Sequence, residues 1–270
     1  MLLSGIAVFS LIFAAVLYVA VRPALWLAVL GFVLCFLLGL GIAFAVLLVQ
    51  CNRVDMEKEQ EEDSPFYRSL MHLYIEALVT LVGVRIHAEG LEKVPQDGRF
   101  LLVCNHLHMA DPGIVLHCFK KSQLAFIAKQ ESRDMFIVGP IMHSILCQFI
   151  DRDNDRSALK TILKCIQILK EDKASVCVFP EGYTSRDGKL HHFRSGVFKI
   201  AQKANVPIVV CTIQNTQSIF RNMKKLKKTH VPLRLVEVIP PEEIKSLSTV
   251  ELSERIYECM IADLGEDFRV

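Results

Sequence analysis

Residues 1–49 carry one charged side chain, Arg22, and that constrains the chain more than any other feature. As helices, the apolar runs 1–21 and 24–49 would be about 31 Å and about 39 Å long, against a hydrocarbon core of about 30 Å. Both are long enough to span. "VRPA" (21–24) supplies a polar break and a helix stopper between them. The economical expectation is a transmembrane helical hairpin with both ends on one side. A cleaved signal peptide fits less well: the charged n-region is missing, the apolar run is long, and a second run follows at once. Gly31, Cys35 and Gly39 recur every four residues, a spacing that lets a neighbouring helix approach, although chance in a Gly- and Leu-rich segment gives the same pattern.

The rest of the chain is different in kind. Residues 50–270 hold 30 of the 31 Lys and Arg and all 29 Asp and Glu, a balance near +1 that argues against nucleic acid as a partner. Nine cysteines invite a disulfide or metal reading, but none form C-x-x-C, and most (104, 118, 147, 165, 177 and 211) lie inside apolar runs. They read as small core side chains in a reducing compartment, with no metal site. P-loop, G-x-G-x-x-G and G-x-S-x-G motifs are missing from the sequence.

Residues 50–65 form a charged linker, and 66–270 a single domain. "FYRSLMHLYIEALVTLVGV" places Leu70, Leu73, Ala77, Leu78 and Leu81 on one expected helix face, suited to packing or to a membrane interface. From Val84 the signals alternate. "VRIHAEG", "FLLVCNH", "LAFIA", "SVCVFPEG" and "VPIVVCTI" read as strands, most of them apolar enough to be buried on both faces. Helical segments are expected at 112–119, 134–145, 157–169 and 196–204. The order implies an α/β domain: a largely parallel sheet flanked by helices, with ligands bound beyond the C-terminal strand ends.

"LLVCNHLHMADPGI" (101–114) puts His106 and Asp111 five residues apart. A regular helix would turn them roughly 140° from one another. Pro112 disfavours that helix and marks a new helix start, so Asp111 reads as an N-cap whose carboxylate can turn back to the imidazole.

Four blocks stand at expected strand ends: "NHLHMAD" (105–111), "FIDR" (149–152), "FPEGYTSRDG" (179–188) and "VPIVV" (206–210). Together they resemble the glycerolipid acyltransferase family of the bacterial 1-acyl-sn-glycerol-3-phosphate type, with its N-H-x4-D, F-I-D-R, F-P-E-G-T-R-S and V-P-I-V-P pattern. "GKLHHFRSG" (188–196) is similar to that family's continuation. The resemblance covers about residues 66–240. It implies that His106 is a general base, oriented by Asp111, which deprotonates the acceptor hydroxyl as that hydroxyl attacks a thioester. His108 is the rival base. It further implies that Arg152 meets a phosphate, Glu181 positions the acceptor's glycerol, Gly182 permits close backbone approach, and Asn105 lies in the substrate site. No cofactor is implied beyond acyl-CoA or acyl-carrier protein as donor substrate.

This chain also departs from the pattern. The family's T-R-S is Tyr183-Thr184-Ser185, so the arginine expected at 184 is missing, with Arg186, Lys189 and Arg194 near enough to compensate. Leu146, Cys147 and Gln148 replace the glycines usual before F-I-D-R, and the second proline of V-P-I-V-P is absent at 210–211. "RNMKKLKKTH" gathers Arg221, Lys224, Lys225, Lys227 and Lys228, either against anionic headgroups or as a solvated loop.

The expectation is therefore an integral membrane enzyme of phospholipid biosynthesis. It transfers an acyl group to the sn-2 hydroxyl of lysophosphatidate on the cytosolic face, with membrane lipids and the lysophospholipid acceptor as partners. Another lysolipid acceptor, an inactive lipid-binding version of the fold, and a hydrolase are the alternatives.

Overall fold

The computed structural model describes residues 1–21, 25–151 and 154–270, with only the backbone at 155. It divides into two units, Met1–Lys58 and Glu59–Val270.

In the first unit, α1 (Leu2–Val21) and α2 (Leu25–Asn52) are apolar on all sides, long enough to cross a membrane, and mostly uncovered by protein. They pair antiparallel. A Cβ on Gly39 would sit 2.7 Å from the Ile6 side chain, and one on Gly31 would sit 3.3 Å from Leu17. Two of the small residues in the four-residue repeat therefore lie at the helix contact. Residues 22–24, Arg22 among them, lie outside the described residues.

The second unit begins with residues expected to be a linker, and they are strapped down. Glu59 meets Lys164 at 2.6 Å, Glu62 meets Lys173 at 3.1 Å, and the Ser64 N–H donates to Ser144 O. Helix α3 (Pro65–Leu81) starts with Ser64 as N-cap and Pro65 in its first turn. Its buried residues are Arg68, Met71 and Ala77, whereas Leu78 and Leu81 are exposed. The expected apolar face is thus only partly the packed one. Arg68 explains the difference, because its guanidinium is satisfied by both Asp63 oxygens and by the carbonyls of Leu124 and Ile145. A polar network took the position that hydrophobicity would have assigned to leucine.

Next come β1 (Val84–Glu89), β2 (Leu101–Cys104), α4 (Asp111–Cys118), β3 (Leu124–Lys129), α5 (Val138–Ser144), β4 (Gln148–Ile150), α6 (Asp155–Lys170), β5 (Ser175–Val178) and α7 (Lys199–Ala204). The chain closes with β6 (Ile208–Ile213), α8 (Ile219–Lys224), β7 (Thr229–Ile239), α9 (Pro241–Ser246) and α10 (Thr249–Leu264). The sheet order is β1-β7-β6-β2-β5-β3-β4, parallel throughout except between β6 and β7. Every residue of β2, β5 and β6 is buried, as expected for strands covered on both faces. Helix α3 packs on α4 and α5, while α6 contacts α7 and α10 lies on β6 and β7.

Strands β4 and β7 and helices α8, α9 and α10 lie outside the elements expected from the sequence. For β7 the signal was present: Val231, Leu233 and Leu235 alternate with Pro232 and Arg234, and only the first set is buried. All nine cysteines are free thiols. Burial pushes the Cys104, Cys177 and Cys211 thiols well above their ordinary range, so they act as core side chains.

Candidate active site

The central strand β2 pairs in parallel with β5 on one side and β6 on the other, which brings the blocks that follow β2 and β5 to the sheet's C-terminal edge, whereas 206–210 leads into β6 and lies at the opposite end. Asn105, one residue past β2, is buried, and its amide bonds the backbone of Ile213 twice. Nδ2 donates to Ile213 O at 2.9 Å, and Oδ1 accepts from Ile213 N at 2.8 Å. Through these two bonds the side chain clamps the end of β2 to β6.

His106 follows on the loop. Its Nδ1 lies 2.8 Å from Asp111 Oδ2, and that same oxygen accepts the N–H groups of Leu107 and His108, both at 2.7 Å. Asp111 is completely buried and stands inside α4, whose N-cap is Ala110. The expected N-cap role is therefore corrected. The carboxylate caps the preceding loop's amides, because a short loop doubling back presents N–H groups closer to it than the helix's own second turn does.

A carboxylate only accepts, so Nδ1 carries the proton and Nε2 offers its lone pair outward. Nε2 accepts from the Thr184 hydroxyl at 3.1 Å. The ring stacks on Phe179 with centroids 4.2 Å apart, and Ser185 N–H donates to His106 O at 2.8 Å. Imidazole tautomer, plane and loop position are all set.

Glu181 is buried beneath this loop. Oε1 accepts the His106 N–H at 2.8 Å, and Oε2 accepts the His191 N–H at 3.0 Å. Burial raises its carboxyl to about 6, with the two amide bonds pulling the other way. Both oxygens accept backbone N–H groups, and through the first of them Glu181 braces the His106 loop from below. Gly182 has φ +83°, and a Cβ there would lie 2.9 Å from Arg194 Nε. The close approach it permits is that of Arg194's side chain. Arg194 and Arg186 are exposed, and neither forms an ion pair among the described residues. Asp187 closes the loop between them by accepting from Lys189 N–H, the His191 ring and Ser185 Oγ, which holds its carboxyl far below the usual range. Arg152 lies outside the described residues.

His108, the rival base, is turned away. Its ring meets Phe220 edge-on at 4.9 Å, and its Nδ1 accepts the Ala110 N–H. The contributions of Phe179, Thr184 and His191 were not foreseen. Only Thr184 had a signal, being the position where the family pattern breaks.

A histidine braced by a buried aspartate at a parallel sheet's C-terminal edge suits proton abstraction from a hydroxyl. Residues 85–214 match the family model described as Acyltransferase. Over these residues the chain is similar to that family. The domain resembles a probable 1-acyl-sn-glycerol-3-phosphate acyltransferase of Mycoplasma pneumoniae, 37% identical over 153 residues, covering 55% of this chain and 56% of that protein. It also resembles the 1-acyl-sn-glycerol-3-phosphate acyltransferase of Borreliella burgdorferi, 28% identical over 151 residues, covering 56% and 60%. The matches thus span little more than half the length of these relatives. Among solved structures, the 1-acyl-sn-glycerophosphate acyltransferase PlsC of Thermotoga maritima superposes with a TM-score of 0.62 at 22% identity, covering 96% of this chain and 93% of that one. That likeness establishes a shared fold.

Proposed function

We propose that the protein transfers a fatty acyl group from acyl-CoA or acyl-carrier protein to the sn-2 hydroxyl of lysophosphatidate, yielding phosphatidate. The observation that carries this reading is the His106 ring. Asp111 holds its Nδ1–H, and its Nε2 is aimed at a hydroxyl 3.1 Å away, where an acceptor alcohol would stand in place of Thr184. The acceptor's O–H gives its proton to Nε2 as the oxygen attacks the thioester carbon. The C–S bond then breaks, and the imidazolium returns the proton to the departing thiolate. Asp111 stabilises the cation between the two steps.

The similarity to relatives named for this reaction supports lysophosphatidate as acceptor. Arg152, with Arg186 and Arg194, is assigned to its phosphate, because a guanidinium fork suits a phosphate monoester. Glu181 and Gly182 act on the acceptor through the loop they shape. The catalytic unit faces the cytosol, where both donors occur, and α1 and α2 anchor it in the membrane. Thr184 in place of the family arginine favours a second reading, in which the same chemistry serves a lysolipid without a phosphate monoester.

The test is transfer from radiolabelled acyl-CoA and acyl-carrier protein to a panel of lysolipids by the reconstituted full chain. Phosphatidate from lysophosphatidate is the expected product. A preference for a lysolipid without the monoester would replace the acceptor, and release of free fatty acid alone would overturn acyl transfer.

A further inference from the structure

From Gly188 to Val236 the chain contains no Asp or Glu, and within that stretch a short segment concentrates cations with uncovered apolar side chains. Arg221, Lys224, Lys225, Lys227 and Lys228 are all exposed, and none is ion-paired among the described residues. Phe220, Met223 and Leu226 lie among them, at 44%, 37% and 96% exposure. At the tip, Leu226 has φ +54°, a conformation ordinarily given to glycine or asparagine. Four hydrogen bonds hold the tip: Lys225 N–H and Lys227 N–H to Asn222 O, Leu226 N–H to Met223 O, and Asn222 Nδ2 to Thr229 Oγ1. A leucine 96% exposed and in a left-handed turn costs stability on both counts, so it is displayed.

The segment's position adds to this. It joins the end of β6 to the start of β7, at the same sheet edge as the catalytic loop, and Phe220 packs directly on His108, two residues from the proposed base. Gly83 lies against Lys227 and Lys228, which brings the end of α3, with its exposed Leu78 and Leu81, to the same edge. Cations beside apolar tips, with no acid among them, complement a bilayer surface: headgroup phosphates for the lysines and the acyl boundary for the leucine.

We infer that residues 219–228 dock the catalytic edge onto anionic lipid, with Leu226 inserted below the headgroups. This contact is separate from the anchoring by α1 and α2. It stands on the surface itself and not on the acyl-transfer reading.

Trp26 is the only tryptophan, so Trp26→Phe with Leu226→Trp places one fluorophore at the tip of the full chain. The protein is reconstituted into phosphatidylcholine vesicles and into equimolar phosphatidylcholine and phosphatidylglycerol, each with and without brominated acyl chains. The expected result is blue-shifted emission and bromolipid quenching in the phosphatidylglycerol vesicles. Both should be absent in pure phosphatidylcholine. Both should also fade toward 1 M salt, where the screening length falls to about 3 Å. Replacing Lys224, Lys225, Lys227 and Lys228 by glutamine should abolish both signals while leaving thermal unfolding unchanged, with the four arginine substitutions retaining them. Equal quenching in both lipids would overturn the charge recognition. Water-exposed emission in every lipid would overturn the docking and leave a solvated loop. The readout does not depend on turnover, so failure here is distinguishable from failure of the proposed reaction.

Discussion

The apolar hairpin and the catalytic edge solve opposite problems. In α1 and α2 nearly every side chain faces outward and is apolar, and their pairing rests on a few close approaches such as Gly39 against Ile6. At the catalytic edge the buried groups are polar, and nearly every polar atom of Asn105, His106 and Glu181 has a named partner. The hairpin therefore tolerates exchange of one apolar residue for another over most of its surface. The edge is set by hydrogen bonds that few other side chains could replace.

The largest expected effect tests the edge at its centre. His106→Ala should lower kcat by at least about 10²- to 10⁴-fold with folding intact, since proton transfer is lost and the backbone bonds to Glu181 and Ser185 remain. Asp111→Asn should follow closely, because an amide can present an N–H to Nδ1 and reverse the tautomer. A near-normal rate for either would reduce the pair to loop structure. Arg68→Met probes the other buried charge. Leaving Asp63 and two carbonyls unpaired should cost about 3–5 kcal/mol in denaturant unfolding. A neutral or stabilising result would show that a hydrophobic residue fills that place equally well.

Glu181 gives the edge a pH dependence that the hairpin lacks. Its folded pKa, about 6, lies above the ordinary 4.5, so the folded state holds the proton more tightly. This contribution is fully present below about 4.5 and is lost as pH rises through 6, a difference of about 2 kcal/mol. Glu181→Gln should flatten that portion of the stability–pH curve. An unchanged slope would place the titration on another group.

Gly39→Ala should strain the hairpin by about 1–3 kcal/mol, because its Cβ meets Ile6 at 2.7 Å, yet leave kcat unaltered in detergent. Loss of turnover would mean that the two regions are energetically linked. The smallest effect belongs to the acidic strap. Glu59→Gln removes one exposed ion pair to Lys164 and should cost about 0.2–1 kcal/mol, less at high salt, by thermal unfolding.

Much of the architecture was legible in the sequence, and what was not legible has local causes. Strands β2, β5 and β6 announced themselves as continuous apolar runs because both faces are covered. In β7 the alternation Val231, Leu233, Leu235 lay beyond the blocks that drew notice. The α3 face was misassigned because periodicity counts leucines and has no means of anticipating that Arg68 would be buried with four acceptors around it. Residues 59–64 read as a linker because their composition is charged, although their partners Lys164 and Lys173 lie about a hundred residues away.

Sequence alone determined the two apolar spans, the alternation that makes a largely parallel sheet, and the His106–Asp111 pairing. Each follows from short-range pattern and from what a side chain can do chemically. Only the tertiary structure decided that Asn105 clamps a strand, that Glu181 braces a loop, that Asp111 caps the amides behind it, and that Thr184 meets Nε2. A hydrogen bond is specified by distance and direction between atoms remote in the chain. Those quantities exist only after β2, β5 and β6 have been laid side by side.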